Sequence, residues 1–361
     1  PGRVDALTLN IDERFLCSSV IDPTAGYAYF GTNSFSGLGM VVKVALGAGS
    51  DPPYRVGSAT LSSGEDALTS AVIDTANGYA YFGTSTVPGR VVKVALGSGS
   101  NLPTRIDAEK LLTGEDTLLS ATIDTANGYA YFGTSTSPGK VVKVALGVGS
   151  ARPLRIGALT LDTDENTLLS AASDPANGFA YFSTSTTPGK VVKVTMAGDS
   201  SEPARVGAIT LDIEEDKPHC AVMDTDKGVA YFGTDTYPGK VVRMGLSQQG
   251  LMKATKVYLG EAGEVSNVSF YSHAAQGNVR LALYDNAGNP ALLWQSPVAT
   301  NSATGGWLNL PISGGTPSFL ALAPGYYWLA WQVDTATPVP SYTLGTSETG
   351  FFVPMPFGAF P

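Results

Sequence analysis

Through the first 250 residues, short runs of β-branched and aromatic residues alternate with clusters of Gly, Pro, Asn, Asp and Ser. The most regular stretch shows what the pattern predicts. Leu168-Leu169-Ser170-Ala171-Ala172-Ser173 reads as a strand, Asp174-Pro175-Ala176-Asn177-Gly178 as a turn and Phe179-Ala180-Tyr181-Phe182-Ser183-Thr184 as the next strand, since Asn-Gly takes the positive φ that tight hairpins require. A second turn at 185–190 leads into Val191-Val192-Lys193-Val194, and a Gly/Ser/Pro-rich loop leads to Arg205-Val206-Gly207-Ala208-Ile209-Thr210-Leu211. Sustained apolar spacing of three and four is missing from this region, so no long helix is expected.

The pattern is periodic. Gly-Tyr-Ala-Tyr-Phe-Gly-Thr, with small variations, begins at Gly26, Gly78, Gly128, Gly178 and Gly228, at spacings of 52, 50, 50 and 50 residues. Tandem units of that length, each holding four short strands, predict a β-propeller, here a five-bladed one over residues 1–250. Arg3-Val4-Asp5-Ala6-Leu7-Thr8-Leu9 reads as an outer strand without inner strands of its own, and the fifth unit ends at Met244 without an outer strand. Residues 3–9 are therefore expected to complete the fifth blade, from the same chain or an adjoining one, removing an exposed edge. The units resemble the YVTN-type surface-layer β-propeller repeat in Ser70-Ala71-Val72-Ile73-Asp74, Tyr79-Ala80-Tyr81-Phe82-Gly83-Thr84 and Val91-Val92-Lys93-Val94. That resemblance implies that the Ala/Ser-rich strand is the innermost of each blade.

After Gly250 the repeat stops, and residues 251–361 hold all four tryptophans. Strands are expected at Val265–Tyr271 and Asn278–Asp285, within a β-sandwich of about 100 residues. Leu281-Ala282-Leu283-Tyr284-Asp285 and Gly325-Tyr326-Tyr327-Trp328-Leu329 are similar to the jelly-roll modules appended to secreted bacterial proteins. Trp328 and Trp331 are expected in the core, in phase on one strand, and Trp307 is a candidate for stacking on a sugar ring. The uncharged tail from Gly350 to Pro361 carries Phe351, Phe352, Phe357 and Phe360. Its prolines suit an edge segment docked in a groove of its own domain, or of a neighbour as an assembly contact.

The chain has 361 residues, of which 15% are charged, a net charge of −9 and a pI near 4.7. An acidic surface argues against nucleic acid as a partner, and no apolar run reaches the length of a spanning helix. Low charge with 42 Gly and 23 Pro suits an exported, extracellular or cell-surface protein. Pro1 at the start is consistent with a removed signal peptide.

Candidate chemistry is sparse. Asp22, Asp74, Asp124, Asp174 and Asp224 end the inner strands, where an Asx side chain bonds the following turn. Glu13, Glu65, Glu115, Glu165 and Glu215 recur nine residues earlier. They are either local acceptors or an acidic ring around a channel mouth, able to attract a cation such as calcium. Cys17 and Cys220 lie on inner strands of the first and last units and form either a disulfide or two free thiols. With His219 and His273 as the only histidines, no metal cluster or activated nucleophile is evident, and no cofactor is expected. These features lead to the expectation of a non-enzymatic structural or adhesive protein, self-associating as a homo-oligomer or filament. The alternative is a lectin-like glycan binder.

Overall fold

The computed structural model describes residues 5–33, 37–49, 51–225, 227–245, 251–272, 277–288, 290–302, 305–334, 350–354 and 360. The chain is all-β and divides into two compact units, 1–223 with 230–244, and 224–229 with 245–361.

The repeats form small antiparallel sheets whose strands pair in chain order. The first contains β1 (Leu16–Asp22), β2 (Tyr27–Thr32), β3 (Met40–Ala45) and β4 (Tyr54–Thr60). The second contains β5 (Leu68–Asp74), β6 (Tyr79–Thr84), β7 (Arg90–Ala95) and β8 (Thr104–Lys110). β9 (Leu118–Asp124), β10 (Tyr129–Thr134), β11 (Lys140–Ala145) and β12 (Leu154–Thr160) make the third. β13 (Leu168–Asp174), β14 (Phe179–Thr184), β15 (Lys190–Thr195) and β16 (Arg205–Thr210) make the fourth. Among the described residues the fifth has three strands, β17 (Pro218–Asp224), β18 (Val229–Thr234) and β19 (Val241–Gly245).

The hairpin between the first two strands of each sheet turns where the sequence places it. In the second unit Asp74 accepts from the Asn77 backbone N–H at 3.1 Å and from its side-chain amide at 2.7 Å, as Asp124 and Asp174 do from Asn127 and Asn177. The third strands read as almost continuous apolar runs because both of their faces are covered. Val91, Val92 and Val94 are fully buried, as are Val141, Val142 and Val144. Successive sheets stack so that Val72, Tyr81 and Val91 of the second pack against Leu118, Phe132 and Val142 of the third. The close approach fixes one residue type: a Cβ at Gly133 would lie 2.7 Å from the Leu168 Cβ of the next sheet. At the matching place in the fourth sheet, Ser183 faces Pro218 instead, and its hydroxyl donates to the Pro218 carbonyl at 2.6 Å.

The first strands β1, β5, β9 and β13 lie side by side. Residues 5–10, however, form no strand, and residues 1–4 of the proposed closing segment lie outside the described residues. Residues 5–10 therefore add no strand to the fifth sheet of their own chain, the first of the two arrangements expected.

In the second unit the strands are β20 (Leu251–Leu259), β21 (Gly263–Glu264), β22 (Asn267–Ser272), β23 (Asn278–Asp285), β24 (Leu292–Gln295) and β25 (Ala299–Thr300). They continue with β26 (Gly306–Pro311), β27 (Ala321–Leu322), β28 (Gly325–Val333) and β29 (Gly350–Pro354). One sheet runs β24-β23-β28-β20-β29, with β25 also on β23, and β22 pairs β26 while β21 pairs β27. Leu281 and Leu283 point into one cluster with Phe270 and Trp294, whereas Ala282 and Tyr284 point into another with Met252 and Ala330. Trp328 and Trp331 do not share a face. Three residues apart on a period-two strand, Trp331 packs on the first cluster and Trp328 on the second, and both are half-buried.

The apolar tail is used inside its own unit. β29 pairs with β20, Leu251 opposite Pro354, and Phe360 is buried against Tyr284, ring centroids 6.5 Å apart, with its N–H donating to Gln295 Oε1. Phe351 and Phe352 lie on β29, and Phe357 lies outside the described residues.

Candidate active site

Four of the five recurrent glutamates are not a free acidic ring. Glu13, Glu65, Glu115 and Glu165 are all buried, each bound by an arginine on the fourth strand of its own sheet. Arg155 Nε donates to Glu115 Oε2 at 2.8 Å and Nη2 to Oε1 at 2.5 Å. Arg105 holds Glu65 through two bonds of 2.7 Å, and Arg55 and Arg205 hold Glu13 and Glu165 in the same way. Each carboxylate also accepts the backbone N–H three residues upstream, as at Leu112 to Glu115, 3.0 Å. The repeat of Glu and Arg therefore ties each entering loop to the outer strand. For Glu13, burial alone would raise the carboxyl pKa; the bonds from Arg55, Ser58 and the Asn10 backbone outweigh it and hold it below the ordinary 4.5. Glu215, in the three-stranded sheet, is half-buried and accepts the Asp212 N–H at 3.1 Å, with no arginine beside it among the described residues. No group of three or more His, Cys, Asp or Glu side chains converges as a metal site among the described residues.

Sequence reasoning missed the lysine on each third strand, which an alternating strand pattern simply absorbs. Lys43, Lys93 and Lys143 are fully buried. Lys93 Nζ donates to the carbonyls of Leu146, Gly147, Gly149 and Ala151 in the next sheet's loop, at 2.7 to 3.1 Å. Lys43 reaches Gly97, Gly99 and Asn101, and Lys143 reaches Ala197, Asp199 and Ser201. Each ammonium also lies over a tyrosine ring, 4.1 Å from Tyr27 in the first unit and 4.2 Å from Tyr79 in the second. Burial lowers these lysine pKa values from the ordinary 10.5. The glutamates and lysines are thus the joints of the repeat, which is not kept everywhere.

One such place is the entry to the fifth sheet. Glu214, Asp216, Asp235, Thr236, Tyr237, Pro238 and Lys240 line a shallow open cleft of about 350 Å³. The loop before β17 and the turn between β18 and β19 supply these residues, held together by the Asp235 N–H bonding the Asp216 carbonyl at 3.1 Å. His219, the second residue of β17, puts Nε2 3.8 Å from Asp235 Oδ2 at the same edge. Lys240 Nζ lies 3.6 Å from Glu214 Oε2. Asp216 Oδ1 is buried with no hydrogen-bond partner among the described residues, as is Asp116 Oδ1 at the same place in the third unit, so this feature follows the repeat. Glu214 has φ 65° where the second and third units use Gly64 and Gly114, and a non-glycine residue held there marks local strain. His219 stands where the first four units have Cys17, Thr69, Leu119 and Leu169, and Asp235 where they have Asn33, Ser85, Ser135 and Ser185. Comparing the fifth unit with the others position by position would have exposed these changes in the sequence.

The remaining candidates do not converge. Cys17 and Cys220 are both free and exposed, so no disulfide joins them; their offset by one position in the repeat turns them to opposite faces. Trp307 is 64% exposed and packs edge-on to Tyr271 at 5.2 Å. His273 lies outside the described residues.

No protein-family model matches the sequence, and no curated protein matches it. A solved structure of a candidate 6-phosphogluconolactonase from Bacteroides uniformis is similar over 90% of this chain and 90% of its own, with a TM-score of 0.52 at 10% identity. A second candidate 6-phosphogluconolactonase, from Bacteroides fragilis, aligns over 64% of this chain and 83% of its own, with a TM-score of 0.40 at 9% identity, and adds no weight. The expectation of a non-enzymatic structural or adhesive protein, with its lectin-like alternative, is corrected: a solved structure that aligns with 90% of this chain is a candidate 6-phosphogluconolactonase, so a fold of this type is also found in candidate enzymes. The first likeness shows a β-propeller-type fold for this chain.

Proposed function

We propose that the chain is a propeller-type hydrolase of uncharged lactones, with the cleft at the fifth repeat sheet as its site. The observation that carries this reading is that His219 and Asp235, neither found at its place in any other unit, meet at one edge beside Lys240. With Asp235 facing Nε2, the imidazole keeps its Nδ1 free to take a proton from water, while the carboxylate steadies the cation that forms. The hydroxide attacks the lactone carbonyl, and Lys240 supplies positive charge for the developing oxyanion. The ring C–O bond then breaks, and the leaving alkoxide takes the proton back from the imidazolium, giving the hydroxy acid. The exposed Tyr237 ring offers a flat wall for a sugar-derived ring.

Charge sets the substrate class. Glu214, Asp216 and Asp235 outnumber Lys240, so a phosphorylated sugar lactone, as named for the structural neighbours, would be repelled. The architecture that goes with this reading is five blades and a C-terminal sandwich, supported by five repeats at one period and by the two apolar faces of the sheet around β28. Glucono-δ-lactone should be hydrolysed above the buffer rate, and faster than its 6-phosphate. His219→Asn should lower kcat by about 10² to 10³ without changing the melting profile, since His219 is exposed. Absence of turnover on either lactone, or an H219N variant at full rate, would refute the proposal.

A further inference from the structure

A tryptophan ordinarily keeps most of its ring out of water, and three of the four in this chain do. Trp294 is fully buried, and Trp328 and Trp331 are half-buried. Trp307 is 64% exposed. It stands on β26 directly opposite Tyr271 of β22, itself 37% exposed, and the two rings meet edge-on at 5.2 Å with an interplanar angle of 78°. Side chains of these two strands alternate between faces. Val268, Phe270, Leu308 and Leu310 pack into the core of the unit, which places Asn267, Ser269, Tyr271, Trp307 and Asn309 together on the other face. A cross-strand aromatic pair steadies a ladder, which accounts for the contact between the rings and leaves the open plane of the indole without a use.

The polar chemistry of this face is uncharged. Residues 286–333 contain no Asp, Glu, Lys or Arg, although 15% of the whole chain is charged, and β22 contains none either. What remains is amides and hydroxyls. Ser269 Oγ donates to Asn309 Oδ1 at 2.6 Å, and the Asn309 amide nitrogen has no protein acceptor among the described residues. The other exposed aromatic pair of this unit differs: Tyr258 and Tyr326 lie 4.9 Å apart, with Lys256 Nζ 5.2 Å from the Tyr326 ring. Among the described residues no cation lies over Trp307.

We infer that the outer face of β22 and β26 binds an uncharged chain of pyranose sugars, at a site separate from the cleft on the fifth repeat sheet. A pyranose ring has apolar C–H faces and a rim of hydroxyls, so it is held by an aromatic plane beneath it and neutral donors and acceptors beside it. Trp307 supplies the plane, and the Tyr271 ring stands nearly upright to it as a wall. The Asn309 amide, two residues along β26 on the same face, is placed to donate to a sugar hydroxyl. From Trp307 to Pro311 the strand runs roughly 13 Å at ~3.3 Å per residue, long enough for more than one ring. A uronate or sulfated chain would find no cation on these strands to pair with.

Isothermal titration of the full chain with cellohexaose, mannohexaose, laminarihexaose and chitohexaose tests this site, with hexagalacturonate as the charged counterpart. At least one neutral hexaose should bind at millimolar concentration or below. Trp307→Ala should weaken that binding by about tenfold or more, Trp307→Phe should weaken it less, and Asn309→Ala should also reduce it. Far-UV circular dichroism confirms that each variant is folded. Four results would each overturn the inference: no neutral hexaose bound at millimolar concentration, a W307A variant that binds as the wild type does, hexagalacturonate bound more tightly than the neutral chains, or self-association of the wild type, read by light scattering, that W307A abolishes and the sugars do not compete away.

Discussion

Replacing Lys93 by Met should lower the stability of the repeat unit by about 3 kcal/mol or more, although the substitution preserves side-chain length and adds apolar character. The reason is asymmetry of loss. Lys93 leaves behind four carbonyls, of Leu146, Gly147, Gly149 and Ala151, turned inward by glycines at positive φ toward the place of the ammonium. Each buried acceptor left unmade costs about 1–3 kcal/mol, more than the desolvation relieved by removing the charge can return once water reaches part of the cage. Burial already pulls the Lys93 pKa down, with Asp74 pulling it partly back up, so the charged form is held by these bonds and by the ring of Tyr79. Urea unfolding followed by tryptophan-independent circular dichroism gives the midpoint. An unchanged midpoint would mean that the cage is solvated and that the lysine does not join the sheets.

Glu115→Ala should destabilise by about 3–5 kcal/mol, because it strands Arg155 at the sheet edge and frees the Leu112 N–H of the entering loop at once. Glu115→Gln should fall between, keeping the loop bond but losing the charge. The same chemistry gives a pH dependence whose sign follows from Glu13. Its carboxyl pKa is lower in the folded chain than in the unfolded one, so its contribution is fully present above the unfolded value and is lost as pH falls through the folded value. Stability should therefore decline on acidification below the ordinary carboxylate range, and less so in Glu13→Gln. Equal acid sensitivity in wild type and E13Q would remove Glu13 from the explanation.

How far the sequence could be read depended on whether a residue's role is local. Strand ends, the Asp174–Asn177 turn and the period were legible because hairpin chemistry lies within a few residues. The partners of Glu115 and Lys93 lie 40 and more than 50 residues away, on the outer strand and in the next sheet's loop, so the spacing of the glutamates alone suggested a ring where the fold builds clamps. The tail showed the same limit. Its prolines and phenylalanines indicated docking, but only the pairing of β29 with β20 and the burial of Phe360 show that the groove belongs to its own unit. Trp328 and Trp331 were misjudged for a simpler reason, since an odd separation on one strand divides faces. The cleft residues carried a readable signal throughout: no other unit has a histidine where His219 stands or an acid where Asp235 stands.

The most direct test of the functional account is a crystal structure of the full chain soaked with gluconolactam, in which an amide nitrogen replaces the ring oxygen and resists hydrolysis. The account predicts the ring bound in the cleft at the fifth sheet, its carbonyl oxygen toward Lys240 and its carbonyl carbon within reach of a water on His219 Nδ1. A lactam bound away from His219, Asp235 and Lys240, or none bound at saturating concentration, would contradict it.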